Sequence, residues 1–482
     1  MDNTNTKPEE KKQLFTLSEL RRELGIPLIL AKRLVLWGEI GAVKAIDGTI
    51  RITAEELAKA RELLRSPWKR GYLFVRALGP GLITGASDDD PSGIGTYSSV
   101  GAQFGFAILW MAAWLLPMML AVQEVCARIG VVTNKGLAGV LKDHYKKRIL
   151  FSAVLLLIIA NVVNIGADLG AMAASLVMLT DINFYLAAAI FAAGIILLEI
   201  FVQYHLYVKV LKWLTVSVFA YIVTGIVVHP DWMTVLKESF VPEIHLNEAY
   251  VFAMIAVFGT TITPYLFFWQ ASEEVEEGKF VKAKNRKSVR KWRLARMRTD
   301  VNTGMILANI VFFFIVITTA QTLFKNGITD ISSAEQAALA LRPLAGDYAY
   351  LLFAIGIIGT GLLAVPILAG SGAYALSEIM NWNEGLEEKF SQAKGFYLVI
   401  AFSIVIGLAL NFLGINPIMA LYYSAFLNGI IAVPLLVVIM LVGDRKDVMG
   451  EETHPKWVKF FGWLAIIMMT VAILVSLVLA LK

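Results

Sequence analysis

Apolar residues run along this chain in stretches of about twenty, and charges gather in the short segments between them. A helix of that length covers the roughly 30 Å of hydrocarbon in a bilayer. About eleven such stretches can be placed, near 72–97, 104–126, 149–178, 183–201, 206–228, 250–271, 302–324, 348–376, 396–413, 416–442 and 457–480. Uninterrupted apolar runs, rather than alternation, predict an all-α polytopic membrane protein. Composition agrees: of 482 residues 57% are hydrophobic and 17% charged, with a mean hydropathy of +0.67. A soluble core needs far less apolar sequence.

The placement of charge says more than the modest net charge of +5. Lys and Arg crowd GKFVKAKNRKSVRKWRLARMR (278–298) and KDHYKKR (142–148), whereas AQFG, TDIN and HPDWMTVLKESFVPEIHLNEAY are neutral or acid-leaning. Basic loops stay inside, so the N-terminus is expected in the cytoplasm and, after eleven spans, the C-terminus outside. The 278–298 run reads as a solvated cytoplasmic arm; anionic lipid headgroups are the alternative contact.

Residues 1–70 break the apolar pattern and form a separate domain, leaving 71–482 as the membrane domain. They read as helix, turn, helix, short β wing and helix, with Asp47-Gly48 turning between AVKAI and TIRIT. Over about 50 residues this resembles the small winged helix-turn-helix domains of MerR and excisionase type. DNA binding is what that resemblance first suggests. The charge is mixed and the domain is tethered to a membrane, so a regulatory or simply packed cytoplasmic role is expected and nucleic acid is not.

Several chemistries have no support. The single cysteine, Cys126, excludes an internal disulfide or a cysteine-built cluster. Five scattered histidines show no paired spacing. MDNTNTKPEEKK lacks a basic region followed by an apolar one, so no cleavable signal peptide is expected. No membrane-embedded nucleophile–base pair suggests an enzyme. Trp110, Trp114, Trp213 and Trp269 read as interfacial anchors or packing.

The sharpest feature is GASDDDPSGIGTYSS (85–99), which carries Asp88, Asp89, Asp90, Pro91 and Gly93 inside an apolar segment. One Asp at mid-bilayer costs about 2.5–3.5 kcal/mol on the insertion scale, so three facing lipid are untenable. Unwound backbone at that depth persists only where it lines a protein-enclosed cavity. Carboxylates beside freed carbonyls make a cation site of hard oxygen ligands. A re-entrant or interfacial loop with solvated Asp residues is the alternative. It loses ground because Gly259, Thr260-Thr261 and Pro264 interrupt a second helix five helices later. Paired breaks at that offset point to inverted repeats of five helices each.

At these residues the chain resembles the NRAMP family of divalent-metal transporters, which have the LeuT-type fold: five plus five helices with the first and sixth broken, here with an eleventh added. The family's DPGN motif matches Asp90-Pro91-Ser92-Gly93, and its A-x-x-M-P-H motif matches Thr260-Thr261-Ile262-Thr263-Pro264-Tyr265. GPGLITGA (79–86), QFG (103–105) and Ala167-Asp168-Leu169 also fit, and the resemblance covers about 70–480. It implies a metal site drawn from Asp90, the Gly93 and Thr263 positions and the carbonyls of Ser87 and Thr260. Asp88 or Asp89 is expected to face the aqueous approach, or to serve a structural hydrogen bond. On the tenth helix, where the family often has a metal-facing Gln, Tyr423 is the candidate, with Tyr422 and Asn428 as neighbours. Gln270, Glu273 and Glu274 read as a solvated helix end or as lining of the inner exit.

The departures from the motifs are informative. Asn has become Gly93, Met has become Thr263, the sixth-helix His has become Tyr265, and the acid three residues after Asp168 has become Ala171. The last two positions are associated with proton movement in the family; Asp168 is expected to anchor a hydrogen-bond network to the first helix. Losing the thioether removes the soft ligand that favours transition metals over Mg²⁺ and Ca²⁺, and losing Asn makes room for an ion that keeps part of its water. The pattern resembles the NRAMP-related magnesium transporters, which the resemblance implies also carry Mn²⁺. A proton-coupled Mn²⁺/Fe²⁺ carrier, an Al³⁺ carrier and a metal sensor signalling through residues 1–70 stay open. The expected partners are a divalent ion as substrate and the lipid bilayer, with no cofactor and a monomeric state favoured.

Overall fold

In the computed structural model, which describes residues 14–26, 31, 34–35, 40–41, 43–44, 50–66, 80–202, 215–279, 286–386 and 388–481, the apolar stretches fold as helices. Two compact units emerge, 1–79 and 80–482.

The first unit holds β1 (Leu14–Thr16), α1 (Leu17–Leu24), β2 (Val43–Lys44), β3 (Ile50–Thr53) and α2 (Ala54–Leu63). Its antiparallel sheet has the order β1-β3-β2, with Phe15 opposite Ile52 and Val43 opposite Arg51. Thr16 and Glu19 form a reciprocal capping box that starts α1, and the backbone and side-chain hydrogen bonds from Thr16 hold the Glu19 carboxyl below its usual range. Leu20, Leu34, Ile52, Leu57 and Ala60 close a small core. The expected wing is a β2–β3 antiparallel pair; its Asp47-Gly48 turn lies outside the described residues, as does most of the expected second helix.

The second unit begins with α3 (Pro80–Asp88) and α4 (Pro91–Phe104), followed by α5 (Trp110–Thr133), α6 (Leu137–His144), α7 (Lys147–Val177), α8 (Phe184–Phe201), α9 (Ala220–Val227) and α10 (Trp232–Phe240). Next come α11 (Glu248–Thr261), α12 (Pro264–Lys279), α13 (Arg286–Thr322), α14 (Ala349–Met380), α15 (Lys394–Leu410), α16 (Pro417–Asp444) and α17 (Lys456–Ala480). Among the described residues nine helices are long and apolar enough to cross a membrane, with α11 and α12 counted together. The eleven stretches read from the sequence differ from this count in two places. The first is split at the acidic run into two half-helices, α3 and α4. The fifth lies partly in 203–214, outside the described residues, and its remainder, Ser217–Val227, meets Trp232–Phe240 at 116°.

The basic run 278–298 is not the free arm expected. Residues 280–285 are not described, but α13 already begins at Arg286, sixteen residues before the apolar stretch. Three of its arginines turn to acids on other helices. Arg293 donates to the Glu274 carbonyl at 2.6 Å, Arg296 pairs with Glu277, and Arg298 grips Glu124 through two hydrogen bonds of 3.0 and 2.8 Å. Glu124 is fully buried and also takes Arg128 at 2.6 Å. A buried carboxylate needs such partners, because desolvating it alone is prohibitive.

Two glycine-lined contacts position the broken helices. An ideal Cβ on Gly259 of α11 would sit 1.9 Å from the Ala425 carbonyl oxygen and 2.2 Å from the Gly429 nitrogen of α16. On α3, Cβ atoms at Gly81 and Gly85 would lie 2.5 Å from the Val301 nitrogen and 2.3 Å from the Gly304 oxygen of α13. Only glycine permits backbones this close. Asp300 of α13 accepts the Gly81 N–H at 2.8 Å and so caps the start of α3.

The most apolar stretch of Glu248–Glu277 is 89% buried by protein, against 22% of that in Lys456–Ala480. The broken pair α11–α12 is therefore central, and α17 leaves most of its side chains outside the packed core. Trp269 is buried and Trp110 donates to the Tyr250 hydroxyl at 2.9 Å, so both are packing residues; Trp114 is exposed, and Trp213 lies outside the described residues.

Candidate metal centre

Proline dictates the first break. Pro91 has no N–H and forces its predecessor out of the helical region; Asp90 sits at φ −66°, ψ 172°. From there its carboxylate caps α4, accepting the Gly93 N–H at 2.6 Å. Its other oxygen accepts the side-chain amide of Asn164, on α7, at 3.0 Å. The same Asn164 amide reaches Asp168 at 3.3 Å, and the Ser92 backbone amide adds to the donors around both carboxylates. Asn428 of α16 completes the set, its amide donating to the Asn164 carbonyl oxygen at 3.1 Å. Asp90, Asn164, Asp168 and Asn428 are all at most 3% exposed.

The second break follows the same logic at Thr263-Pro264. The Thr261 hydroxyl turns back to the Val257 carbonyl at 2.8 Å, a local bond that competes with the helix ladder. Thr263 is buried, and its hydroxyl oxygen has no hydrogen-bond partner among the described residues. Tyr265 ties the two breaks together, donating its hydroxyl to the Ser87 carbonyl at 2.6 Å.

Gly93 shows what the breaks enclose. A Cβ there would lie 2.9 Å from the Asp88 carbonyl oxygen, 3.4 Å from Asp90 Oδ1 and 3.5 Å from the Thr260 hydroxyl. A carbonyl, a carboxylate and a hydroxyl thus surround one point, which the missing side chain leaves open. All three are hard oxygen donors.

Several expected site residues fall elsewhere. The Ser87 carbonyl is engaged by Tyr265, and the neighbouring Asp88 carbonyl borders the cradle in its place. The Asp88 and Asp89 side chains are 1% and 7% exposed, each with one oxygen unpartnered among the described residues, so neither faces open solvent. Among the described residues no three acidic, histidine or cysteine groups converge as a metal cluster; at Asp88 it is the backbone oxygen that borders the cradle. Tyr423 is 50% exposed and meets Phe252 edge-on at 5.9 Å. Tyr422 and Asn428 are buried, and it is Asn428 that joins the Asp90 network through Asn164. The 264–277 end is not solvated as one reading had it. Gln270 and Glu274 are buried, Thr84 donates to Gln270 at 2.6 Å and Gln270 to Glu274 at 3.1 Å, while Glu273 is half-buried. Asn164 escaped the sequence reading altogether. Its signal was spacing: Asn161, Asn164 and Asp168 stand three and four residues apart, one face of an otherwise apolar helix.

A family model described as natural resistance-associated macrophage protein-like matches residues 81–479. The divalent metal cation transporter MntH of Klebsiella pneumoniae subsp. pneumoniae is 25% identical over 406 residues, covering 83% of this chain and 92% of that protein. MntH of Pectobacterium carotovorum subsp. carotovorum is 24% identical over 396 residues, covering 81% and 91%. Among solved structures, the Eremococcus coleocola manganese transporter with a bound aromatic bis-isothiourea compound superposes with a TM-score of 0.67 at 19% identity, over 83% of this chain and 85% of that one. Mhp1, a nucleobase-cation-symport-1 family transporter, gives 0.53 at 13% identity, over 83% and 92%. These two likenesses establish a shared fold.

Proposed function

The chain belongs to the natural resistance-associated macrophage protein (Nramp) family, and from that premise we propose that it carries divalent cations, Mg²⁺ together with Mn²⁺, across the cell membrane in partly hydrated form and without coupled protons. The relatives named divalent metal cation transporters and the neighbour named a manganese transporter support the substrate class. The finer reading rests on one observation: the three nearest groups around the Gly93 cradle are oxygens, and among the described residues the Thr263 hydroxyl has no partner where the family motif places a thioether. Mg²⁺ sheds its water reluctantly and is commonly held by one or two carboxylates with several waters retained. Asp90 suits that task, since the Gly93, Asn164 and Ser92 donors occupy three of the roughly four lone-pair sites of its carboxylate and leave one for the ion or its water. The basic segments 142–148 and 278–298 support a cytoplasmic N-terminus.

The test is uptake of Mg²⁺, Mn²⁺ and Ca²⁺ into proteoliposomes containing the full chain and an internal pH dye. Mg²⁺ and Mn²⁺ enter, and no acidification in fixed ratio to the metal accompanies them, because Ala171 and Tyr265 cannot exchange protons near neutral pH as the family's acid and imidazole can. A constant proton-to-metal ratio restores the proton-coupled reading, and absence of any metal flux leaves the sensor.

Selectivity has its own variant. Thr263→Met adds a soft ligand that Mg²⁺ cannot use, and the Mn²⁺/Mg²⁺ competition ratio is expected to rise about tenfold, equivalent to roughly 1.4 kcal/mol. The single change is cleaner than adding Gly93→Asn, whose Cβ would press on the Asp88 backbone oxygen at 2.9 Å. An unchanged ranking of Mg²⁺, Mn²⁺ and Cd²⁺ removes position 263 from selectivity.

A further inference from the structure

We propose that Asn164 is a positioning residue which, through Asn428, makes the cation affinity of Asp90 depend on where α16 stands. The inference rests on the transport reading above.

Chemistry fixes the orientation of the Asn164 amide. Its NH₂ faces two carboxylates, Asp90 at 3.0 Å and Asp168 at 3.3 Å, and its carbonyl faces the Asn428 NH₂ at 3.1 Å. Flipped, it would set oxygen against both acids and nitrogen against nitrogen, so only one assignment satisfies the contacts. Asn164 thus joins three separate elements: the break between α3 and α4, the long helix α7, and α16. Asn428 sits beside Gly429, where a Cβ would lie 2.5 Å from the Ile255 carbonyl oxygen of α11. Any shift of α16 against α11 therefore carries Asn428 with it and pulls on Asn164. Of the hydrogen bonds that the Asp90 carboxylate accepts, those from the Gly93 and Ser92 backbone amides come from its own helix and move with it. The Asn164 bond comes from outside and sets how the carboxylate is turned. Buried amide chains of this kind transmit because an unmade bond in the interior is costly.

The experiment measures Mn²⁺ and Mg²⁺ affinity by titration calorimetry on the purified full chain, together with KM and maximal rate in proteoliposomes, for Asn428→Leu, Asn164→Leu and the double variant. Each single change weakens binding and raises KM by about tenfold, and the maximal rate stays within about twofold of the parent. The double variant is no worse than Asn164→Leu alone, because both changes cut one path. A purely structural role predicts instead that rate and folded yield fall while affinity holds. Parent-like affinity in Asn428→Leu, or strictly additive losses, overturns the proposal. Should Asn164→Leu fail to fold, Asn428→Leu and Asn428→Ala decide it alone. A parent chain that binds neither ion fails the transport reading itself, a result distinct from variants that match a binding parent.

Discussion

Asp90→Ala reduces Mg²⁺ and Mn²⁺ uptake to background, about a hundredfold or more. The reason is electrostatic: of the three nearest groups around the point left open at Gly93, Asp90 alone carries a charge, the Asp88 carbonyl and Thr260 hydroxyl being neutral. A divalent ion leaving water for a buried site needs a full opposing charge there. Alanine also removes the cap of α4, a loss of about 1 kcal/mol. Asp90→Asn separates the two effects, because Asn caps a helix about as well as Asp but carries no charge. Its one oxygen keeps the cap while its NH₂ meets the Asn164 donor, so its thermal midpoint is expected below the parent but no lower than that of Asp90→Ala, and its uptake is expected to match Asp90→Ala. The measurement is initial-rate uptake in proteoliposomes at matched protein density. Uptake by either variant within a few-fold of the parent places the essential charge elsewhere in the 88–90 run.

Gly259→Ala removes most of the correctly folded protein. The added methyl carbon would stand 1.9 Å from one backbone atom of α16 and 2.2 Å from another, and neither is a side chain that can rotate away. The helices must part by more than an ångström, which withdraws Thr260 from the cradle and opens the packed centre. Gly194→Ala on α8 is the matched control: nothing lies within 4 Å of its Cβ, and alanine is the better helix former by about 1 kcal/mol. Size-exclusion profiles in detergent and uptake are expected to fall at least tenfold for Gly259→Ala and to hold for Gly194→Ala. A parent-like profile for Gly259→Ala means that the α11–α16 contact is looser than the geometry describes.

Much of this architecture could be read from residues alone because a bilayer imposes a length rule on apolar runs, and because Asp-Pro and Thr-Pro announce helix interruptions locally. What could not be read depends on partners remote in sequence. Arg293, Arg296 and Arg298 look like solvated charges until Glu274, Glu277 and Glu124 are brought beside them. The single-residue differences between the two readings have a geometric origin. Successive residues on a helix point about 100° apart, so Tyr423 faces outward while Asn428, five positions on, turns inward. The cradle borders Asp88 rather than Ser87 for a similar reason: Tyr265, 178 residues away, had already engaged the earlier carbonyl. Asn164 was hidden because one amide in an apolar helix carries no motif, only a spacing.

The first half-helix has a mechanical consequence. Its described part, α3, holds nine residues, about 14 Å at 1.5 Å per residue. Pivoting on the unwound Asp89-Asp90 joint, a 20° swing sweeps its Pro80 tip through about 5 Å, close to one helical pitch. Along its length Gly81 and Gly85 lie against bare backbone, with no interlocked side chains at those points. Two catches oppose the swing, Gln270 on Thr84 midway and Asp300 on Gly81 at the tip. Torque grows with distance from the pivot, so the outermost catch has the greatest leverage, and there the holding group is a carboxylate.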